Sequence, residues 1–155
     1  MQEVLRHDLP WRDSLYLLRR LPVDFDLAPK LAIAHIQQVQ PDIVVCCGMA
    51  EARDRLNLEA QAMQGDRVLK TPLDLTHLAA DLAMTDISYD AGQFVCNALY
   101  FSLLKHTQDT SSASLFIHIP VLTPENRLPL LHDFCQILHR LGRSDQKLAR
   151  LTPNP

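Results

Sequence analysis

Three residues of the chain, Glu59, Cys96 and His118, have the types that thiol acyl transfer needs. A thiol nucleophile, an imidazole base and a carboxylate that orients the base form the usual group for this chemistry. By spacing alone the group is weakly diagnostic. A cysteine in an apolar helix usually packs in the core, and a histidine on an apolar strand is more often a core residue with satisfied hydrogen bonds.

The elements that must position these residues alternate between short apolar strands and amphipathic helices. Strands are predicted over residues 14–21, 43–47, 85–88 and 114–119. Helices are predicted over residues 27–40 and 90–105, from residue 71, and from residue 123 to a C-cap at Gly142. The β-branched run 43–47 is typical of a strand buried on both faces. The alternation predicts the α/β fold class, as a three-layer α/β/α sandwich with a mostly parallel twisted sheet.

The strand ends predict where the three residues meet. Glu59 follows the 43–47 strand through a predicted loop, Cys96 follows a short strand, and His118 is penultimate before Pro120 ends its strand. Ligands bind beyond the carboxyl ends of parallel strands, so we expect one cleft at that edge to gather all three.

Helix caps refine the position of the thiol. Asp90 and Gln93 resemble a capping box, which predicts that the helix of Cys96 starts near residue 90. A thiol near a helix start is close to amides that favour the thiolate, its nucleophilic form. Asp26 is the predicted cap of the first helix.

The length and charge of the chain limit the classes of protein to which it can belong. The 155 residues predict a single α/β domain over 1–142 and a C-terminal tail over 143–155. A net charge of −3 gives no electrostatic footprint for nucleic acid or an anionic membrane. The N-terminal segment carries Glu3, Arg6, His7 and Asp8 and has no apolar run like that of a signal peptide, so a cytoplasmic location is expected. The 4 cysteines form no C-x-x-C pair, and no metal or cofactor is expected.

Four motifs in order resemble the pyroglutamyl-peptidase I family, also called pyrrolidone-carboxylate peptidases. The family's histidine strand, F-[IV]-H-[VI]-P, matches residues 116–120, and its nucleophile segment, S-x-x-A-G-x-[YF]-[VL]-C-N, matches residues 88–97. The segment P-D-x-x-[IV]-x-x-G-x-A matches from residue 41, with Arg53 and Glu59 at the family's offsets from its glycine. Residues 21–28 are similar to L-P-V-x-F-x-x-A.

The resemblance implies a phosphorylase/hydrolase-like fold and a cysteine-type omega-peptidase activity that removes N-terminal 5-oxoproline from peptides. Cys96 would be the nucleophile, His118 the base and Glu59 the orienting carboxylate. Arg53 and, more weakly, Arg67 would contact substrate. The implied partners are N-terminally blocked peptides or small amides and a second copy of the chain in a homo-oligomer.

The chain departs from the family in two regions that bind substrate. It has no counterpart of the N-terminal strand and G-F-x-x-F-G loop, and its loop after Glu59 is shortened. A second reading therefore stays open, in which the chain is a non-catalytic or altered-specificity α/β binding module derived from the same family.

Overall fold

The computed structural model describes residues 12–143. The charged segment 3–8 and the tail beyond residue 143 lie outside this range, so the predicted domain limits stay a prediction. In chain order the elements are α1 (Leu27–Val39), β1 (Ile43–Met49), β2 (Leu56–Glu59), β3 (Gln61–Gln64), β4 (Arg67–Lys70), α2 (Leu75–Ala79), β5 (Thr85–Ser88), α3 (Val95–Thr107), β6 (Ala113–Ile119) and α4 (Arg127–Leu141). None of these helices combines the length and apolar character that a membrane crossing needs.

One sheet of 4 strands, in the order β1-β6-β2-β5, lies at the centre of the fold. β1 runs parallel to β6, and β2 runs parallel to β5. The two pairs meet at an antiparallel contact between β2 and β6. α1 and α3 pack on one face of the sheet, and α2 and α4 pack on the other. The predicted three-layer, mostly parallel α/β fold is confirmed.

Alternation along β6 assigns its side chains to two cores. Leu115 and Ile117 belong to the cluster under α2 and α4, together with Leu58 of β2. Phe116 belongs to the cluster under α1 and α3. All residues of β6 up to His118 are buried, because this strand has a neighbour on each side and a helical layer on each face.

The predicted strand over residues 14–21 is wrong. Arg12–Ser14 forms a short 3-10 turn, and residues 15–22 have no regular structure. Tyr16 and Leu18 are exposed there. Alternation indicates which side chains would share a face, but a strand also needs a neighbour for its backbone hydrogen bonds.

β1 is confirmed as a strand, but its predicted burial on both faces is wrong. Within residues 12–143 it lies at one edge of the sheet and pairs with β6 alone. Cys47 and Met49 are exposed, and the residues from Ile43 to Cys46 are only partly buried. Composition predicts a buried strand well, but it does not show which strand lies at the edge.

The start of α1 at Leu27 is confirmed, with Asp26 at the N-cap position, but the Asp26 side chain makes no capping hydrogen bond. Asp24 supplies it instead, because its Oδ1 accepts from the backbone N–H groups of Asp26 at 2.9 Å and Leu27 at 2.7 Å. The predicted start of the next long helix is wrong. α3 begins at Val95 rather than at residue 90. The Asp90 carboxylate instead accepts from the Gly92 N–H at 2.9 Å in a tight turn.

Two elements were not predicted. β2 has four residues, too few for a clear periodicity, yet all of them are buried. The β3–β4 hairpin joins its strands through Gly65 and Asp66, and Gly65 has a φ of +58° that favours glycine. Together they turn the predicted loop around Glu59 into a strand followed by a hairpin.

Candidate active site

The register of the sheet brings the candidate residues onto one face. Gly48 of β1 and Asn57 of β2 both pair with His118 of β6, and Glu59 pairs with Phe116. Side chains two residues apart on a strand share a face, so Asn57 and Glu59 lie together with Phe116 and His118 on the α3 side. Glu59 therefore reaches His118 across an antiparallel pair. The expectation that all three residues come from carboxyl ends at one edge is wrong for Glu59, because β2 runs against β6.

His118 and Glu59 form a buried pair. The Nδ1 of His118 lies 2.7 Å from Oε1 of Glu59, and the two residues are 7% and 0% exposed. When Nδ1 carries its proton and donates to the carboxylate, Nε2 is left for the sulfur or the substrate. The other carboxylate oxygen, Oε2, is buried and has no hydrogen-bond partner within residues 12–143. The imidazole is thus the group that compensates the carboxylate.

The surroundings of His118 shift its pKa upwards. Burial alone lowers the pKa of this imidazole, but hydrogen bonds to Cys96 and Glu59, together with their charges, outweigh burial and raise the pKa to about 9. A histidine with this pKa holds its second proton at neutral pH. It can therefore act as a general acid toward a leaving amine.

Cys96 lies in the first turn of α3, one residue after the helix begins at Val95. The prediction that it lies near a helix start is therefore confirmed, although the start is later than residue 90. The positive end of the helix dipole adjoins the sulfur. Its interaction with His118, which raises the pKa of the imidazole, links the sulfur to the buried pair.

Gly48 makes room for the thiol. A Cβ on Gly48 would lie 2.9 Å from Sγ of Cys96 and 2.9 Å from Cζ of Phe116. Such separations are closer than real Cβ contacts, so any larger residue would displace the sulfur or the ring. The glycine of the 41–50 motif is therefore explained by packing under the nucleophile.

Two buried aromatic residues support the pair from within the α3 layer. The Phe116 ring lies between Tyr100 and His118, with centroid separations of 5.8 Å and 4.9 Å. The Tyr100 hydroxyl donates to the backbone carbonyl of Glu59 at 2.8 Å. These contacts fix the ring of His118 and the backbone of Glu59. Sequence reasoning missed Tyr100, whose only signal was its apolar position on a predicted helix.

The two arginines differ in placement. Arg53 is exposed and donates from Nη2 to the backbone carbonyl of Asp90 at 3.1 Å, which ties it to the loop before Cys96. Arg67 lies on β4, with its guanidinium 6.0 Å from the centroid of the Phe101 ring. This contact explains Arg67 as a packing residue of the hairpin, and the structure does not bring it to the buried pair.

Two amide side chains attach the hairpin and the nucleophile loop to each other. Asn97 donates to the carbonyl of Met63 at 2.7 Å and accepts from its N–H at 2.9 Å. Gln61 donates to the carbonyl of Tyr89 at 3.0 Å. The residue after Cys96 is thus fixed to β3. Asn97 was visible in the sequence as part of the nucleophile motif, but its partner was not.

Comparisons with known proteins agree with this geometry. A family model described as pyroglutamyl peptidase matches residues 76–129, which include Cys96 and His118. Pyrrolidone-carboxylate peptidase 2 of Photorhabdus laumondii is 32% identical over 114 residues, which are 57% of this chain and 52% of that protein. The Bacillus subtilis pyrrolidone-carboxylate peptidase is 28% identical over 138 residues, 71% of this chain and 64% of that protein. Over these residues the chain is similar to the pyroglutamyl peptidases.

Solved structures of pyroglutamyl peptidases share the fold. Pyroglutamyl peptidase I of Bacillus amyloliquefaciens superposes with a TM-score of 0.67 at 21% identity, covering 78% of this chain and 77% of that one. The pyrrolidone carboxyl peptidase of Thermococcus litoralis gives 0.64 at 19% identity, covering 77% and 72%. The chain spans 52% to 64% of the length of the first curated relatives that it matches.

Proposed function

We propose that the chain is a cysteine-type hydrolase that removes an N-terminal pyroglutamyl (5-oxoproline) residue from peptides through an acyl-enzyme on Cys96. The observation that carries this proposal is the buried contact of 2.7 Å between His118 and Glu59. It lies on the sheet face where Gly48 accommodates the Cys96 sulfur. A nucleophile, a base and an orienting carboxylate in mutual reach form the constellation that acyl transfer requires.

In this mechanism the His118 imidazole holds the proton given up by the thiol, and the sulfur attacks the carbonyl that joins 5-oxoproline to the next residue. A carbon–sulfur bond forms. The carbon–nitrogen bond then breaks as His118 returns the proton to the leaving amine. Water, deprotonated by His118, attacks the thioester, so that the carbon–sulfur bond breaks and the free acid and the thiol are restored. Glu59 orients the imidazole and stabilises its charged form throughout.

The surroundings of the thiol fit a small, uncharged acyl group. Phe94 just before α3 and Val121 just after β6 are exposed apolar residues. They lie on segments that also carry Cys96 and His118. A neutral lactam ring has apolar methylene groups that such side chains can cover.

The wider setting is part of the same proposal. The substrates are N-terminally blocked peptides or small amides, and the location is cytoplasmic. Nucleic acid and membranes are not partners, in keeping with the net charge of −3. Self-association into a homo-oligomer would cover part of the exposed apolar surface, which includes Tyr16 and Leu18.

The test is hydrolysis of a pyroglutamyl-coumarin amide by the purified chain. We expect turnover that Cys96→Ala abolishes. Alkylation by iodoacetamide gives a second readout, and it is made in a Cys47→Ser background because Cys47 is exposed and would also react. If no N-terminal lactam or amide is cleaved in a Cys96-dependent manner and Cys96 is not selectively alkylated, the chain is the non-catalytic module.

A further inference from the structure

An open cleft adjoins the buried pair without containing it. The cleft has a volume of about 560 Å³ and is lined by Arg53, Asn57, Asp86, Ile87, Ser88, Tyr89 and Asp90. Neither Cys96 nor His118 lines it. It therefore lies beside the reacting atoms, along β5 and the loop that leads to the nucleophile, rather than over them.

Asn57 joins this cleft to the catalytic residues. It pairs with His118 on one side and with Asp86 of β5 on the other. Its side chain is on the same sheet face as His118, and the residue is 5% exposed. A ligand in the cleft would thus be one strand away from the imidazole.

The side-chain oxygen of Asn57, Oδ1, is buried and makes no hydrogen bond within the described residues. A buried acceptor without a donor costs free energy, and polar groups of this kind are usually paired in native proteins. A carboxamide offers an acceptor and two donors, so it can pair with the backbone of one residue by donating to its carbonyl and accepting from its N–H, as Asn97 does with Met63.

The two carboxylates of the cleft have partners other than Arg53, so the Arg53 guanidinium can bind a ligand beside the Asn57 amide. Asp86 is engaged by Arg55, with Nε and Oδ2 3.3 Å apart. The Asp90 carboxylate accepts from the Gly92 N–H. Arg53 uses one Nη2 hydrogen bond to the Asp90 carbonyl, and its guanidinium has further donors for a ligand carbonyl. The cleft therefore offers hydrogen-bond donors and an acceptor that suit a polar, uncharged ligand such as a peptide backbone.

The direction of the reaction indicates which part of a substrate would occupy the cleft. His118 protonates the leaving amine, so the leaving peptide must lie beside His118. We propose that Arg53 and Asn57 bind the leaving peptide, with the Asn57 carboxamide paired to the backbone N–H and carbonyl of the second leaving residue. This inference rests on the proposed function and adds the substrate class: peptides that continue beyond one leaving residue, in preference to simple amides.

The experiment compares two substrates in wild type and in Asn57→Leu, a variant of similar volume that has no polar side-chain atoms. One substrate is pyroglutamyl-alanyl-alanine amide, and the other is the pyroglutamyl-coumarin amide, which has no following peptide group. We expect the ratio of kcat/KM for the peptide to that for the coumarin amide to fall about tenfold in Asn57→Leu, as expected for the loss of a paired amide. General structural damage lowers both values and leaves the ratio unchanged, which would overturn the inference.

An ester analogue of the peptide substrate tests the hydrogen bond to Asn57 Oδ1 by itself. Replacing the alanyl-alanine amide bond by an ester removes the N–H from which this oxygen would accept. We expect the ester to be a poorer substrate than the peptide for wild type and the two to be equal for Asn57→Leu. An ester penalty of the same size in both proteins would contradict the proposed pairing.

Binding distinguishes failure of this inference from failure of the proposed function. The dissociation constant of pyroglutamyl-alanyl-alanine amide is measured by calorimetry for Cys96→Ala and for the double variant with Asn57→Leu. If turnover is absent but binding weakens in the double variant, the peptidase proposal fails and the cleft assignment stands. If Cys96→Ala does not bind the peptide, or binds it equally with and without Asn57→Leu, the cleft assignment fails whether or not the chain hydrolyses the coumarin amide.

Discussion

The Cα of Gly48 lies so close to Cys96 that a Cβ on the glycine would be 2.9 Å from the sulfur. The two residues are 48 positions apart in the chain. They meet because β1 pairs with β6 and α3 packs over both. The Cys96 sulfur thus packs against the backbone of Gly48, and the lack of a side chain at Gly48 leaves the space that the thiol occupies.

We therefore expect Gly48→Ala to lower kcat/KM for the pyroglutamyl-coumarin amide by about a hundredfold, because a misplacement near 1 Å has an effect of this size. Gly142→Ala is the matched control. Gly142 has a φ of −76° at the end of α4, which alanine adopts without strain. Equal activity of the two variants would show that the thiol does not depend on Gly48.

The buried pair predicts a pH dependence of stability. The pKa of His118 is raised from 6.5 to about 9, so the stability contributed by its charged form is fully present below pH 6.5 and is lost as the pH rises to about 9. The whole shift corresponds to at most about 3 kcal/mol. We expect the free energy of unfolding, measured by urea titration, to fall across this window in wild type and to fall less in Glu59→Gln.

Glu59→Gln retains the shape of the side chain but removes the carboxylate charge that helps to hold the His118 proton. The carboxylate of Asp86, exposed and paired with Arg55, provides a comparison through Asp86→Asn. That variant should keep the wild-type slope between pH 6.5 and 9. Parallel curves for all three proteins would mean that Glu59 does not raise the pKa of His118.

The sequence predicted the strands that have a strong local pattern. β5 matches its predicted limits, and β6 differs by one residue, because alternation and Pro120 define them without reference to distant residues. Four-residue β2 has no such pattern, and its assignment depends on pairing with both neighbours. The start of α3 could not be read from a capping box, because the Asp90 side chain closes a local turn instead.

For the site, residue types and motifs identified Glu59, Cys96 and His118 but not the way in which they meet. The contact between Glu59 and His118 depends on an antiparallel register that alternating strands and helices do not predict. The same register places Asn57 beside the pair, and the packing of α3 brings the Tyr100 hydroxyl to the Glu59 carbonyl. Arg67 was chosen from its place after Glu59, and the hairpin turns that segment onto Phe101.

The hydrogen bond from the Tyr100 hydroxyl to the Glu59 carbonyl can be tested through its effect on stability. We expect Tyr100→Phe to lower the free energy of unfolding by about 1 to 2 kcal/mol, because it leaves the buried carbonyl of Glu59 without this donor. Tyr16→Phe, at a residue that is 65% exposed, should change it by less than about 0.5 kcal/mol. Chemical denaturation measures both. Equal stability of the two variants would show that the hydroxyl of Tyr100 does not hold Glu59.

Asn97 predicts a local rather than a global effect. Its amide makes two hydrogen bonds to the backbone of Met63 and so fixes β3 to the first turn of α3. We expect Asn97→Ala to speed amide hydrogen exchange at Met63 and its hairpin neighbours by at least about tenfold, since losing these bonds lowers the local opening free energy by about 1 to 3 kcal/mol. Exchange in β6 should change far less, because that strand is buried under both helical layers. Gln64→Ala, an exposed change on the same strand, is the control. If it speeds hairpin exchange as much as Asn97→Ala does, the hairpin is not held to α3 by the residue that follows Cys96.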